Sequence, residues 1–130
     1  MNFLAVLISA FASIVIGMFW YSQSMFGKAW ANGMGLDVTG KKGMGGSTYF
    51  LMILSSLVKA YVLAYIIGLM SEMSLSSGLQ AGFWIWLGFF ATTKLGDVLW
   101  SGKSWKVYFI NVFHDLISLL VMGAILSVLV

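Results

Sequence analysis

The chain has 130 residues, of which 61% are hydrophobic and only 8% charged, with no proline, no cysteine and a net charge of +3. A soluble domain carries about a quarter charged residues, so this balance excludes an ordinary water-soluble fold and points to a chain embedded in lipid. The lack of cysteine removes disulfides, thiolate chemistry and Cys-based metal sites, and seven dispersed lysines are too few for nucleic-acid binding.

The length leaves room for a single domain over residues 1–130. A helix needs about 20 mostly apolar residues to cross the hydrocarbon core. Asn2–Tyr21, Thr48–Met70, Gly78–Trp100 and Lys106–Leu129 meet that length. The expected fold is an all-α integral membrane protein with four transmembrane helices in two hairpins. The first segment lacks a basic n-region, and its Ala10-Phe11-Ala12 lies inside the apolar run, so a retained helix is expected rather than a secretory signal.

On the first segment Ala5, Ser9, Ser13 and Gly17 recur every four residues. Ser56, Ala60, Ala64 and Gly68 do the same on the second, and Gly88, Thr92 and Gly96 on the third. Helices in lipid associate through close backbone approach, so each stripe marks an expected helix contact.

The first loop, Ser22–Ser47, carries Lys28, Lys41 and Lys42 against Asp37. Its opening part, Ser24–Trp30, has the pattern of a short amphipathic turn at the interface, and Gly33–Gly46 that of a flexible glycine-rich turn. The second loop, Ser71–Ser77, has only Glu72, and the third, Ser101–Trp105, has Lys103 with Lys106 just beyond. The positive-inside rule places loops 22–47 and 101–105 in the cytoplasm and both termini outside, across the plasma (inner) membrane of the cell. Trp20, Tyr21, Trp30, Tyr49, Trp100, Trp105 and Tyr108 all fall near the expected cytoplasmic boundary. Gly27-Lys28-Ala29-Trp30 and Gly102-Lys103-Ser104-Trp105 echo each other, as do Tyr49-Phe50 and Tyr108-Phe109. Two hairpins of the same orientation would give a parallel repeat about an axis along the membrane normal; the alternative, favoured because the spacing around the motifs differs, is that cytoplasmic boundaries simply prefer Gly, Lys and Trp.

Ionisable groups at bilayer depth cost about 2.5–3.5 kcal/mol each, so they face protein or water. At about 1.5 Å per residue, Asp97 lies roughly 5 Å from the cytoplasmic boundary, Lys94 roughly 10 Å, His114 and Asp115 roughly 12–14 Å and Lys59 roughly 17 Å. Lys94 and Asp97, three residues apart, are expected to neutralise each other and snorkel at the cytoplasmic mouth. Lys59 is too deep for that and needs an acid; Asp115 matches it by depth. Asn111, His114, Asp115 and Ser118 form one polar stripe on the last helix. The candidate substrate- or ion-binding residues are therefore Lys59, Asp115, His114, Asn111 and Ser118.

Such a cluster either fixes how the helices pair or serves an ion, a proton or a small polar solute, with Asp115 and His114 able to exchange protons. A single histidine without cysteine gives no basis for a metal site, and no cofactor is assigned. Gly102-Lys103-Ser104 lacks the earlier glycine and the strand of a phosphate-binding loop. The sequence thus favours a small channel or transporter over an enzyme, in contact with the lipid bilayer and no nucleic acid. A homo-oligomer is expected because four short helices rarely enclose a pathway. The alternative is a structural or accessory membrane protein. An enzyme acting on lipid or quinone has the least support, since no nucleophile–base arrangement is visible.

Phe19-Trp20-Tyr21-Ser22 with Phe26-Gly27-Lys28-Ala29-Trp30, Gly82-Phe83-Trp84-Ile85-Trp86-Leu87-Gly88-Phe89 with Ala91-Thr92-Thr93, and Leu99-Trp100 with Lys103 and Trp105 carry a resemblance. Ile110-Asn111 and Val121-Met122-Gly123-Ala124-Ile125-Leu126 complete it. The chain resembles the membrane family known as domain of unknown function 1761, over nearly its whole length. Gln23 departs from the pattern, which has a proline after the serine. The resemblance implies a small four-helix membrane protein, largely bacterial, without an established activity.

Overall fold

The computed structural model describes residues 2–22, 24–34 and 46–129. Their regular structure is helical throughout. It comprises α1 (Phe3–Trp20), α2 (Gly27–Met34), α3 (Gly46–Gly68), α4 (Leu75–Ile85), a π-helical turn (Trp86–Ala91), α5 (Thr92–Leu99) and α6 (Trp105–Leu129). Among the described residues, α1, α3 and α6 are long and apolar enough to cross a membrane, three helices rather than the expected four. The stretch expected as the third crossing is divided. α4, the π turn and α5 follow one another without a gap, but neither α-helical piece reaches the length alone. The cause is the wider winding at Trp86–Ala91, where the hydrogen bonds skip one residue more than in an α-helix.

Local chemistry sets the helix ends. Asn2 caps α1, its side-chain oxygen accepting from the Leu4 and Ala5 amides at 3.0 and 3.3 Å. Ser74 caps α4 through the Ser77 amide at 3.2 Å. After α5 the chain reverses at Gly102, whose φ of +72° suits a residue without Cβ, and the Lys103 amide returns to the Asp97 carbonyl at 3.0 Å. The expected amphipathic turn at Ser24–Trp30 is a helix that begins at Gly27 and runs to Met34, burying Ala31. Residues 35–45 of the expected flexible stretch, with Asp37, Lys41 and Lys42, lie outside the described residues, as does Gln23.

Helix α6 is the hub. It packs against α4, α1, α2 and α3, and α1 also packs against α3. The apolar core mixes small side chains, Ala5, Ala10, Ala60, Ala64 and Ala81, with Val6, Leu63, Ile67, Leu119, Met122 and Leu126. Most of the large aromatics point outward instead: Phe3, Phe11, Phe50 and Phe89 are each at least 65% exposed. That inversion suits a hydrocarbon surrounding, where packing rather than apolar burial joins helices.

The α4–α6 contact shows this at its closest. A Cβ on Gly78 would strike the Gly123 carbonyl oxygen, one on Gly123 the Gly78 carbonyl oxygen, and one on Gly82 the Leu119 carbonyl. The expected contact stripe Gly88–Thr92–Gly96 is not the one used: Gly88 and Thr92 are exposed, and nothing stands against Gly88. The face turned to α6 runs Gly78, Gly82, Trp86 and then Ala91, two steps of four followed by one of five. The extra residue of the π turn makes that last step, while Gly88, two residues beyond Trp86, lies on the opposite side of the helix. On α1 and α3 the expected stripes do hold contacts, with Ala5, Ser9, Ser13, Ala60 and Ala64 buried and Gly68 exposed.

Candidate functional site

Asp115 stands in the half of α6 nearer Trp105, and only 5% of it is exposed. Its two carboxylate oxygens meet different partners. Oδ2 lies 2.5 Å from the Lys94 ammonium on α5, and Oδ1 lies 3.2 Å from His114 Nδ1. An ionised carboxylate only accepts, so the imidazole donates from Nδ1. His114 Nε2 is buried without a hydrogen-bond partner among the described residues. It faces α1 at Gly17, where a Cβ would come within 3.4 Å of it. The ring is flanked by Tyr21 and Trp20, at centroid distances of 5.2 and 6.3 Å.

Lys94 was expected to snorkel outward beside Asp97, and Lys59 to pair with Asp115. The structure pairs Lys94 with Asp115 instead, for a geometric reason. A helical side chain leans toward the N-terminus of its own helix. On α5 that direction leads away from Leu99 and into the helix bundle, and on antiparallel α6 it leads from Asp115 toward Trp105. The two groups lean toward each other. Asp97 is exposed and makes no ion pair among the described residues; its backbone carbonyl, not its carboxylate, is engaged, by the Lys103 amide. Lys59 lies with its ammonium over the Phe90 ring, 5.6 Å from the centroid, an arrangement in which the ring face attracts the cation.

The polar stripe of α6 divides its partners. Asn111 Oδ1 accepts from the Tyr21 hydroxyl at 2.6 Å, so this residue looks to α1. Ser118 is buried and donates to Met122 Sδ at 3.6 Å, within its own helix. The structure therefore brings Asp115, His114 and Lys94 into contact, sets Asn111 beside them through Tyr21, and leaves Ser118 and Asp97 outside the linked set.

A collar of aromatic donors surrounds this level, and sequence reasoning had placed most of them only as boundary residues. The Trp20 indole donates to the Ile110 carbonyl at 2.9 Å and the Trp86 indole to the Val112 carbonyl at 2.6 Å. The Tyr108 hydroxyl donates to the Ala91 carbonyl at 2.8 Å, and Thr92 Oγ1 to the Gly88 carbonyl at 2.7 Å. The last two serve carbonyls of the π turn, where regular helical pairing is broken. The signal available in sequence was the cluster of Trp and Tyr at one level of several segments. It does not say which carbonyl each would reach.

Among the described residues these features define a helical protein with three helices apolar enough to span a membrane and a buried carboxylate on α6 that meets Lys94 of α5 and its neighbour His114. The match of residues 4–127 to the family model described as "Protein of unknown function (DUF1761)" shows that the chain belongs to that family. No curated protein and no solved structure matches the chain.

Proposed function

We propose that the protein is a multi-pass protein of the plasma membrane that moves protons or small ions through the Asp115 site, working as a homo-oligomer in the bilayer. In this reading α4, the π turn and α5 together make a fourth crossing, since the continuous helical path from Leu75 to Leu99 has the length of one. The lysines of loops 22–47 and 101–105 put those loops in the cytoplasm and the termini outside. The observation that carries the proposal is the asymmetry at Asp115. One oxygen meets the Lys94 ammonium and the other an imidazole whose second nitrogen is buried and unpartnered among the described residues. A purely structural network satisfies all its members, whereas a proton-handling one needs a group with spare capacity. The protein in liposomes under an imposed pH gradient is expected to dissipate it, and Asp115→Asn to abolish most of that flux. Absence of flux from correctly folded protein, with protons and with each common monovalent ion, would count against it.

A second reading has its own observation. Hydrogen bonds and the ion pair at this level tie α6 to α1, to the π turn and to α5. A cluster that only sets helix pairing would be replaceable by apolar residues. Lys94→Met combined with Asp115→Leu would then leave both stability and the biological role intact.

A further inference from the structure

Helices α1 and α6 run antiparallel in a register fixed at three points. The Trp20 indole reaches the Ile110 carbonyl, His114 Nε2 lies against Gly17, and the Asn2 side chain donates to the Leu129 carbonyl at 2.8 Å. Four residues back from Gly17 on the same face, Ser13 stands level with Ser118, and four further back Ser9 stands level with Met122. All three serines are buried, with Ser9 0% exposed, Ser13 8% and Ser118 4%. Ser13 donates to the Ala10 carbonyl at 2.8 Å and Ser118 to Met122 Sδ, and a hydroxyl that donates can still accept. Ser9 Oγ, like His114 Nε2, is buried without a hydrogen-bond partner among the described residues. Stranding a buried polar atom is costly, and a bridging water relieves it.

The donor set at this level does not suit a metal cation. Both Asp115 oxygens are engaged, by the Lys94 ammonium and by His114 Nδ1, and Asn111 Oδ1 is taken by the Tyr21 hydroxyl. Hard cations are held by several oxygen ligands at once, and among the described residues no group of three His, Cys, Asp or Glu stands together to hold one. A proton needs only a line of groups that each accept and donate. Imidazole is such a group, because one ring nitrogen takes a proton as the other gives one up, and so is a hydroxyl.

Resting on the reading of Asp115 as a transport site, we propose that the species moved is the proton alone, and that its route beyond His114 is the α1–α6 seam, where water links Nε2 to the hydroxyls of Ser13, Ser118 and Ser9. Successive levels of the seam are roughly 6 Å apart, so one water spans each step. At the ring, an N–H bond forms at Nε2 as the one at Nδ1 breaks and its proton passes to Asp115 Oδ1. The imidazole thereby gains one proton and loses one, and turning of the ring resets it. Asp115 releases its proton past Lys94, whose side chain is 36% exposed. Beyond Ser9 the buried Ala5, Val6 and Leu126 close the seam.

The test is flux across liposomes, read with a trapped pH dye for protons and with ion-selective electrodes for sodium, potassium and chloride. Proton flux alone is expected. Gly17→Ala sets a methyl 3.4 Å from Nε2, an ordinary contact that shields this atom from water, and Ser9→Ala removes a hydroxyl that has no partner among the described residues. Each variant is expected to be at least as stable as the parent in thermal unfolding, yet to lose about tenfold or more of the proton flux. A merely structural seam predicts the same stability with flux untouched, and that result overturns the proposal. Sodium, potassium or chloride flux that Asp115→Asn abolishes overturns it as well, while leaving the transport reading of Asp115 in place. A folded parent that carries nothing removes both. His114 is the one histidine of the chain, so NMR of protein with isotope-labelled histidine in bilayers reads Nε2 directly. Magnetisation transfer from water to Nε2 is expected, and to weaken in Gly17→Ala. Its absence from the parent overturns the proposal even should a variant fail to fold.

Discussion

Helix α6 is held in two different ways along its length. Toward Leu129 it meets α4 backbone to backbone, through Gly78, Gly82 and Gly123 with Ser127 against Gly78, and among the described residues no side-chain hydrogen bond or ion pair joins the two there. Toward Trp105 it meets α1, the π turn and α5 through indole and phenol donors and the Lys94–Asp115 pair. The first half depends on shape and the second on charge and hydrogen bonding. The π turn at Trp86–Ala91 stands where one gives way to the other. It advances the contact face by one residue, and the glycines of α4 give way there to Trp86 and Ala91. A small protein can thus keep one half of a helix contact tightly packed while the other half carries ionisable groups.

The largest expected effect falls on the charged half. Asp115→Leu strands the Lys94 ammonium and is expected to cost about 3 kcal/mol, at the low end for a broken buried pair because Lys94 keeps an outlet to its surroundings. Lys94→Met with Asp115→Leu should return to within about 1 kcal/mol of the parent in the same thermal unfolding measurement in micelles. A double variant no more stable than Asp115→Leu would show that this half is not held by that pair.

On the packed half, Gly123→Val is expected to lose about 2–3 kcal/mol, because its side chain must displace the Gly78 backbone. Gly88→Ala, outside the contact, should change stability by no more than about 1 kcal/mol and in the favourable direction. Equal losses at the two glycines would erase the distinction between the used stripe and the unused one.

Smaller effects lie at the junction. Trp86→Phe removes the donor to the Val112 carbonyl and should cost about 1–2 kcal/mol, read by urea or thermal unfolding. Tyr108→Phe, which uncovers the Ala91 carbonyl, should cost about 1 kcal/mol. The accompanying measurement is amide hydrogen exchange: protection is expected to fall around residues 86–92 and to hold at Gly78 and Gly82. Uniform loss along α4 would mean that the two halves do not act separately.

Much of the architecture was legible from residue type and spacing. The long apolar runs and the small-residue stripes of the first two follow from what hydrocarbon excludes, and α1, α3 and α6 meet the length and apolarity of a membrane span, while the stripe expected on the third run is not the one used. The candidate site was half legible. Asp115, His114 and Lys94 stood out because ionisable groups are costly in an apolar helix. Their pairing did not, because depth along an axis says nothing about the direction in which a side chain leans. Lys59 matched Asp115 by depth, but Lys94 reaches it.

Composition and periodicity determined the helical, apolar character of the chain, since those rest on each residue's own transfer energy and on backbone groups that must be paired within the helix. The tertiary structure decided the rest. A π turn is not written in local propensity; Trp86–Ala91 reads as ordinary apolar helix. It forms where helix packing against α6, and the hydroxyls of Tyr108 and Thr92 covering its carbonyls, offset the loss of regular pairing. The same packing of α5 on α6, with side chains that lean toward each other, decides that Lys94 holds Asp115.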